Sequence, residues 1–193
     1  MGNSTYSNIV SATTATAAKN MRINRNIRLS IKYHLADLLN DCGYTNVYGE
    51  QEMRNVALGS FTGAAPFVFL VDSFVSPTET TLPFIVLEVT NIRRVPYELG
   101  NDGTGREITT FVHIFGRSRA ERDDIASYFQ DYIGRSIPYN DYTSGSATPM
   151  TYPIQRVGEG IEVSYAPPVT DQQLQEHSLA NWNILSFEAR TIA

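Results

Sequence analysis

The chain has 193 residues, 42% hydrophobic and 18% charged, which suits one domain with extensions and a substantial core. Its net charge of −5 argues against a dedicated nucleic-acid binder, and its single cysteine, Cys42, excludes an intrachain disulfide or a cysteine-rich metal site. No apolar run approaches the roughly 20 residues that span a bilayer, and the N-terminus lacks the basic-then-apolar order of a secretory signal, so the expectation is a soluble protein made in a cytoplasm, without a membrane partner.

Residues 1–20 are rich in Thr, Ala and Ser and show no sustained period, so they are expected to form an N-terminal arm lying against another surface. A helix follows over Asn24–Asn40. Ile23, Ile27, Ile31, His34, Leu35 and Leu38 recur at three- and four-residue steps, and Gly43 supplies the stop. Arg22, Arg25, Arg28 and Lys32 fall on its other side. From Lys19 to Asp41 five cations meet two acids, a local +3, which leaves the rest of the chain at −8.

Strand signals come next. Asn46–Glu50 is short. Phe67–Phe74 and Phe84–Thr90 are β-branched and aromatic runs bounded by prolines. Glu107–Phe115 alternates Ile108, Thr110, Val112 and Ile114 against Thr109, Phe111, His113 and Phe115, so both of its faces are expected to be covered. Between the last two, Asn91–Arg106 carries Pro96 and three glycines and reads as a long hairpin loop, a length usually kept for function.

A second helix is marked at its start by a capping box, Ser118 with Glu121. Ile125, Ala126, Phe129, Tyr132 and Ile133 form its expected buried stripe, and Asp123, Asp124 and Asp131 its acidic back. Gly134 ends it, and Ile137–Tyr142 reads as an edge strand because Pro138 cannot donate to a ladder. Thr143–Thr148 reads as a linker, followed by strands at Gly160–Tyr165 and Asn181–Ile192. The chain thus divides into an arm (1–20), an α/β domain (21–142) and a C-terminal β extension (143–193).

Catalytic constellations are weak. Asp72 and Glu88 on neighbouring strands suggest the acidic pair of a metal-dependent nuclease, but Thr90 stands where such sites place a lysine. Asn101–Gly105 has the letters of a glycine-rich loop without the strand-to-helix order of a phosphate cradle. His34, His113 and His177 lack metal-ligand spacing, and Cys42 has no histidine near it. No catalytic residue, metal or cofactor is expected, and the chain reads as a non-enzyme.

The order of helix, strands, hairpin, S-x-x-E-capped helix and short strand, over about residues 22–142, resembles the tail-terminator (tail-completion) proteins of long-tailed bacteriophages. The stretch from Phe84 to Tyr142 carries the resemblance. In that family a strand rich in Val, Ile and Phe feeds "ARTEAERDDLA"-like residues into a helix, and Gly116-Arg117-Ser118-Arg119-Ala120-Glu121-Arg122-Asp123-Asp124 occupies that place here. The resemblance implies an α/β (α+β) fold, with a mixed, mainly antiparallel sheet packed by two principal helices. It implies a homo-oligomeric ring, usually a hexamer, at the head-proximal end of the tail. There it would stop tube growth and meet the tail-tube protein and the head-completion or neck proteins, with DNA only as the passing genome.

On that reading the location is the virion, after assembly in a host cytoplasm. Arg22, Arg25, Arg28, Lys32, Asp123, Asp124 and Asp131 are expected at the subunit interface. Arg93, Arg94, Tyr97, Glu98, Asn101, Asp102 and Arg106 are expected in a loop that touches tube or neck. The alternatives are another neck, head-closure or tail-tube protein, and, further off, the nuclease.

Overall fold

The computed structural model describes residues 4–60, 63–72, 82–96, 104–165 and 182–192. In chain order they form α1 (Ser4–Asp41), β1 (Asn46–Tyr48), α2 (Glu50–Ala57), β2 (Phe67–Val71), β3 (Phe84–Pro96), β4 (Thr104–Phe115) and α3 (Arg119–Tyr132). The short strands β5 (Ser136–Ile137), β6 (Asn140–Asp141) and β7 (Thr148–Pro149) follow, then β8 (Ile154–Tyr165) and β9 (Trp182–Ile192). The fold is α+β. One seven-stranded mixed sheet has the order β1-β2-β3-β4-β9-β8-β5, and β6 and β7 form a separate hairpin. β1, β2 and β3 run parallel, and the remaining pairings are antiparallel.

Strand alternation sorts the core into two clusters. Val68 and Leu70, Ile85 and Leu87, Val112 and Ile114, and Leu185, Phe187 and Ala189 face α1 and α3. They meet Ile23, Ile27, Ile31, Leu35, Leu38 and Leu39 from α1, and Ile125, Ala126 and Phe129 from α3. Phe69, Val71, Phe84, Val86 and Phe115 point to the other face, under Met53 and Val56 of α2. The continuous apolar runs of β2 and β3 follow from this double burial. The expected two-sided covering of β4 is present where Phe115 stacks on Phe84, with ring centroids 5.5 Å apart.

Several sequence expectations change. α1 starts at Ser4 and has 38 residues, about 57 Å of helix, so most of the expected arm is a helical continuation of the packed segment. Ala is the best helix former, and no Gly or Pro interrupts residues 4–41. α2 was not foreseen: Met53, Val56 and the small Ala57 are its only apolar positions in eight residues, too little pattern to read. Tyr132, expected in the buried stripe, is 58% exposed and stacks on Tyr128 outside the core, while Arg122 is buried. The edge strand expected over Ile137–Tyr142 is split by Pro138 into β5 and β6, and the "linker" is the turn of the β6–β7 hairpin.

The largest change concerns the expected long loop. Asn91–Pro96 and Thr104–Arg106 are strand, paired as far as Pro96 with Thr104. The two strands form a blade, and only the tip, 97–103, lies outside the described residues. The turn-prone letters are accommodated by a bulge, where Asn91 takes a left-handed φ of 51° and two residues face one on β4. β9 runs along the other side of β4 from Phe115–Trp182 to Gly105–Ile192, so β8 and β9 of the expected C-terminal extension complete the same sheet.

Candidate functional site

The charged helix backs follow from the apolar stripes. α1 and α3 lie antiparallel: the Tyr44 hydroxyl donates to Glu121 Oε1 (2.9 Å) at one end, and His34 Nε2 donates to the Ile133 carbonyl (3.0 Å) at the other. Arg22, Arg25 and Arg28 are exposed on α1, as the sequence predicts. Two of the expected interface cations are engaged within the subunit. Arg25 Nη2 donates to the Tyr142 carbonyl (3.0 Å), and Lys32 lies 3.8 Å from Asp72. On α3, Asp123 accepts from Arg122 (2.8 Å) and lies 3.9 Å from Arg119. Arg28, Asp124 and Asp131 are exposed and form no ion pair among the described residues.

The start of α3 is built as the sequence requires, with one difference. Ser118 Oγ accepts from Glu121 N (3.2 Å), but the Glu121 carboxylate reaches the amide of Arg117 (2.7 Å), one residue before the cap. Burial and the hydrogen bond to Glu121 push the Tyr44 phenol well above its usual range. Between the end of α1 and this cap runs a groove of about 640 Å³, lined by Cys42, Tyr44, Arg117, Glu121, Asp124 and Tyr128. Cys42 is half-buried, its thiol 3.4 Å from the Leu39 carbonyl, and burial raises its pKa, the opposite of an activated nucleophile.

The blade carries the second concavity. The β3 bulge at Asn91 and Ile92, and a wider one in β8 between Val157 and Glu162, bracket the β4–β9 pair. Between them opens a pocket of about 500 Å³, lined by Asn91, Arg93, Glu107, Thr109, Glu188 and Arg190 among others. Glu107 sits between two guanidiniums, accepting from Arg93 Nε (2.5 Å) and from Arg190 Nη2 (2.5 Å). Hydrogen bonding from Arg93, and then from Arg190, holds its carboxyl below the usual range.

Of the expected contact-loop residues, Arg93, Arg94 and Arg106 are therefore strand residues. Arg93 lies on one face of the blade, and Arg94 pairs across to Arg106 on the other. Tyr97, Glu98, Asn101 and Asp102 lie outside the described residues. Sequence reasoning missed Glu107, Arg190 and Arg156, whose neighbours are set by the pairing of β4, β8 and β9.

The acidic pair considered for a nuclease is separated by the sheet. Asp72 follows Leu70 on the helix face, where it meets Lys32. Glu88 follows Phe84 and Val86 on the other face and lies 3.3 Å from His113 Nε2. Burial holds the His113 pKa below its usual value, against the raising effect of Glu88. Among the described residues no group of three His, Cys, Asp or Glu side chains could hold a metal ion. No helix among them is long and apolar enough to cross a membrane. Neither the family models nor the curated proteins compared with the sequence match it.

Proposed function

We propose that the chain is a structural subunit of a phage particle that assembles into a ring, of the hexameric kind, at the head-proximal end of the tail. There it ends tube growth and joins the tail to the neck, as the resemblance of Phe84–Tyr142 to tail terminators implies. The observation that carries the reading is a pair of unlike exposed patches on one subunit. Arg28 on α1 and Asp124 and Asp131 on α3 are exposed charges of opposite sign, with no ion pair among the described residues. A head-to-tail contact closed by rotation needs two different complementary surfaces, and opposite charges set their register.

The sheet edges support the same geometry, because they too are unlike. One is the three-residue β1, and the other is β8, which pairs with β5 only at Ile154 and Gln155. Tail-tube protein on one side and neck proteins on the other are the partners this reading implies, with no cofactor. Another neck, head-closure or tube position in the same particle uses the same contacts, and cross-linking to tube or portal protein separates the two. A nuclease centred on Asp72 and Glu88 is not proposed, since the two acids face opposite sides of the sheet.

The structure selects the charges to test. Arg25 and Asp123 have partners within the subunit, so Arg28→Glu and Asp124→Lys with Asp131→Lys are the cleaner changes. In light scattering and negative-stain imaging the wild-type chain forms closed rings, alone or with tube protein. Arg28→Glu impairs them, and the combined charge swap partly restores them. A monomer at every concentration, with tube protein present, sinks the proposal.

A further inference from the structure

We propose that Arg94, Arg106 and Arg156, on the helix-side face of the blade, form a binding site for a phosphate oxyanion. The placement follows from register. Arg94 pairs across to Arg106, Arg106 to Thr191, and Arg156 to Ala189. Ile108 and Ala189 belong to the core cluster under α1 and α3, and alternation puts all three arginines on that same face. The β9 residues between them, Ala189 and Thr191, are short.

Three features mark this as more than a solvated basic face. First, none of the three arginines has an ion pair among the described residues, and two of them stand directly opposite each other, which is unfavourable for like charges. Second, Nε of Arg106 and Nε of Arg156 are both buried with no hydrogen-bond partner among the described residues. A buried guanidinium N–H without an acceptor is costly, and here there are two, from two strands. Third, Tyr139 is buried within range of the Arg106 charge, so an apolar, poorly hydrated wall lies beside the cluster.

The opposite face of the blade indicates the ligand's charge. There, Arg93 and Arg190 are both satisfied by one carboxylate, Glu107. Three guanidiniums without such a partner call for more charge and more acceptor oxygens than one carboxylate brings. A phosphate supplies about −1.5 to −2 near neutral pH and three oxygens or more, and the arginine fork matches its geometry. The site does not depend on the ring proposal.

The test is a titration of the full chain at constant ionic strength with inorganic phosphate, methyl phosphate and acetate, followed by calorimetry. Wild type binds phosphate saturably and more tightly than acetate. Tighter binding of methyl phosphate than of inorganic phosphate assigns the site to an ester, and the reverse assigns it to the free ion. Arg106→Gln and Arg156→Gln each weaken binding about tenfold or more, the loss expected for one charge-assisted contact. Arg93→Gln, on the other face, leaves it unchanged. Should Arg106→Gln fail to fold by circular dichroism, Arg94→Gln at the exposed rim gives the same reading. No saturable phosphate binding by wild type, acetate bound as tightly as phosphate, or undiminished binding by the glutamine variants overturns the proposal.

Discussion

Gly116→Ala isolates the junction between β4 and α3. A Cβ built at Gly116 would lie 2.8 Å from the Arg122 amide nitrogen and 2.9 Å from the Ser118 carbonyl oxygen. Both are backbone atoms, so no rotamer change relieves the clash. The first turn of α3 must move, and two bonds are tied to that turn: Arg122 N to Ser118 O (3.2 Å) and Glu121 N to Ser118 Oγ (3.2 Å). Losing a helix cap costs about 1 kcal/mol, and overpacking adds about 1–3 kcal/mol. The expected destabilisation is therefore about 2–4 kcal/mol, read in urea unfolding as a lower midpoint with an unchanged slope. Gly160→Ala is the control, because nothing lies within 4 Å of its Cβ and its φ is not positive. It should stay within about 0.5 kcal/mol of wild type. If Gly116→Ala also stays within that margin, the close approach does not constrain the junction as argued.

Two further outcomes follow from the core and the open face. Phe129 is fully buried between α3 and the sheet, so Phe129→Ala should cost about 3–5 kcal/mol in the same unfolding assay. His113 should titrate by NMR below the usual histidine pKa, with burial as the cause. Its stabilising effect is then complete above the unfolded-state pKa of about 6.5 and is lost as pH falls towards the folded value. Glu88→Gln should lower the His113 midpoint further, because Glu88 favours the protonated ring; an unchanged or higher midpoint would refute the contact.

The fold was legible where a period and a terminal signal agreed. The stripe from Ile23 to Leu38 and the Ser118 cap each combine apolar spacing with a local stop or start; the stripe packs in the core and Ser118 caps α3, although Glu121 reaches Arg117 and not the cap. Where local chemistry and long-range pairing disagreed, pairing prevailed. Asn91 and the residues around it favour a turn, yet the ladder to β4 holds them in a bulged strand. α2 carries only Met53 and Val56 as apolar anchors, too few to show a period. The candidate surfaces were half legible. The signs of the helix backs can be read from spacing, but spacing cannot show that Arg25 binds the Tyr142 carbonyl or that Asp123 is held by Arg122. Nor can it show that Arg94, Arg106 and Arg156 share a face, since that depends on β9 lying between β4 and β8.

That central position of β9 also sets an order on how the molecule is made. The β3–β4 hairpin can close as soon as it leaves the ribosome, but β8 and β5 join the sheet only through β9. Until residues 182–192 emerge, β4 offers a bare edge and Leu185, Phe187 and Ala189 are missing from the core. The ladder that ties Gly105 to Ile192 spans a long stretch of chain, the kind of contact that slows folding. Nascent chains stalled before Trp182 would therefore present an unpaired strand to one another, and premature self-association is the hazard built into this topology.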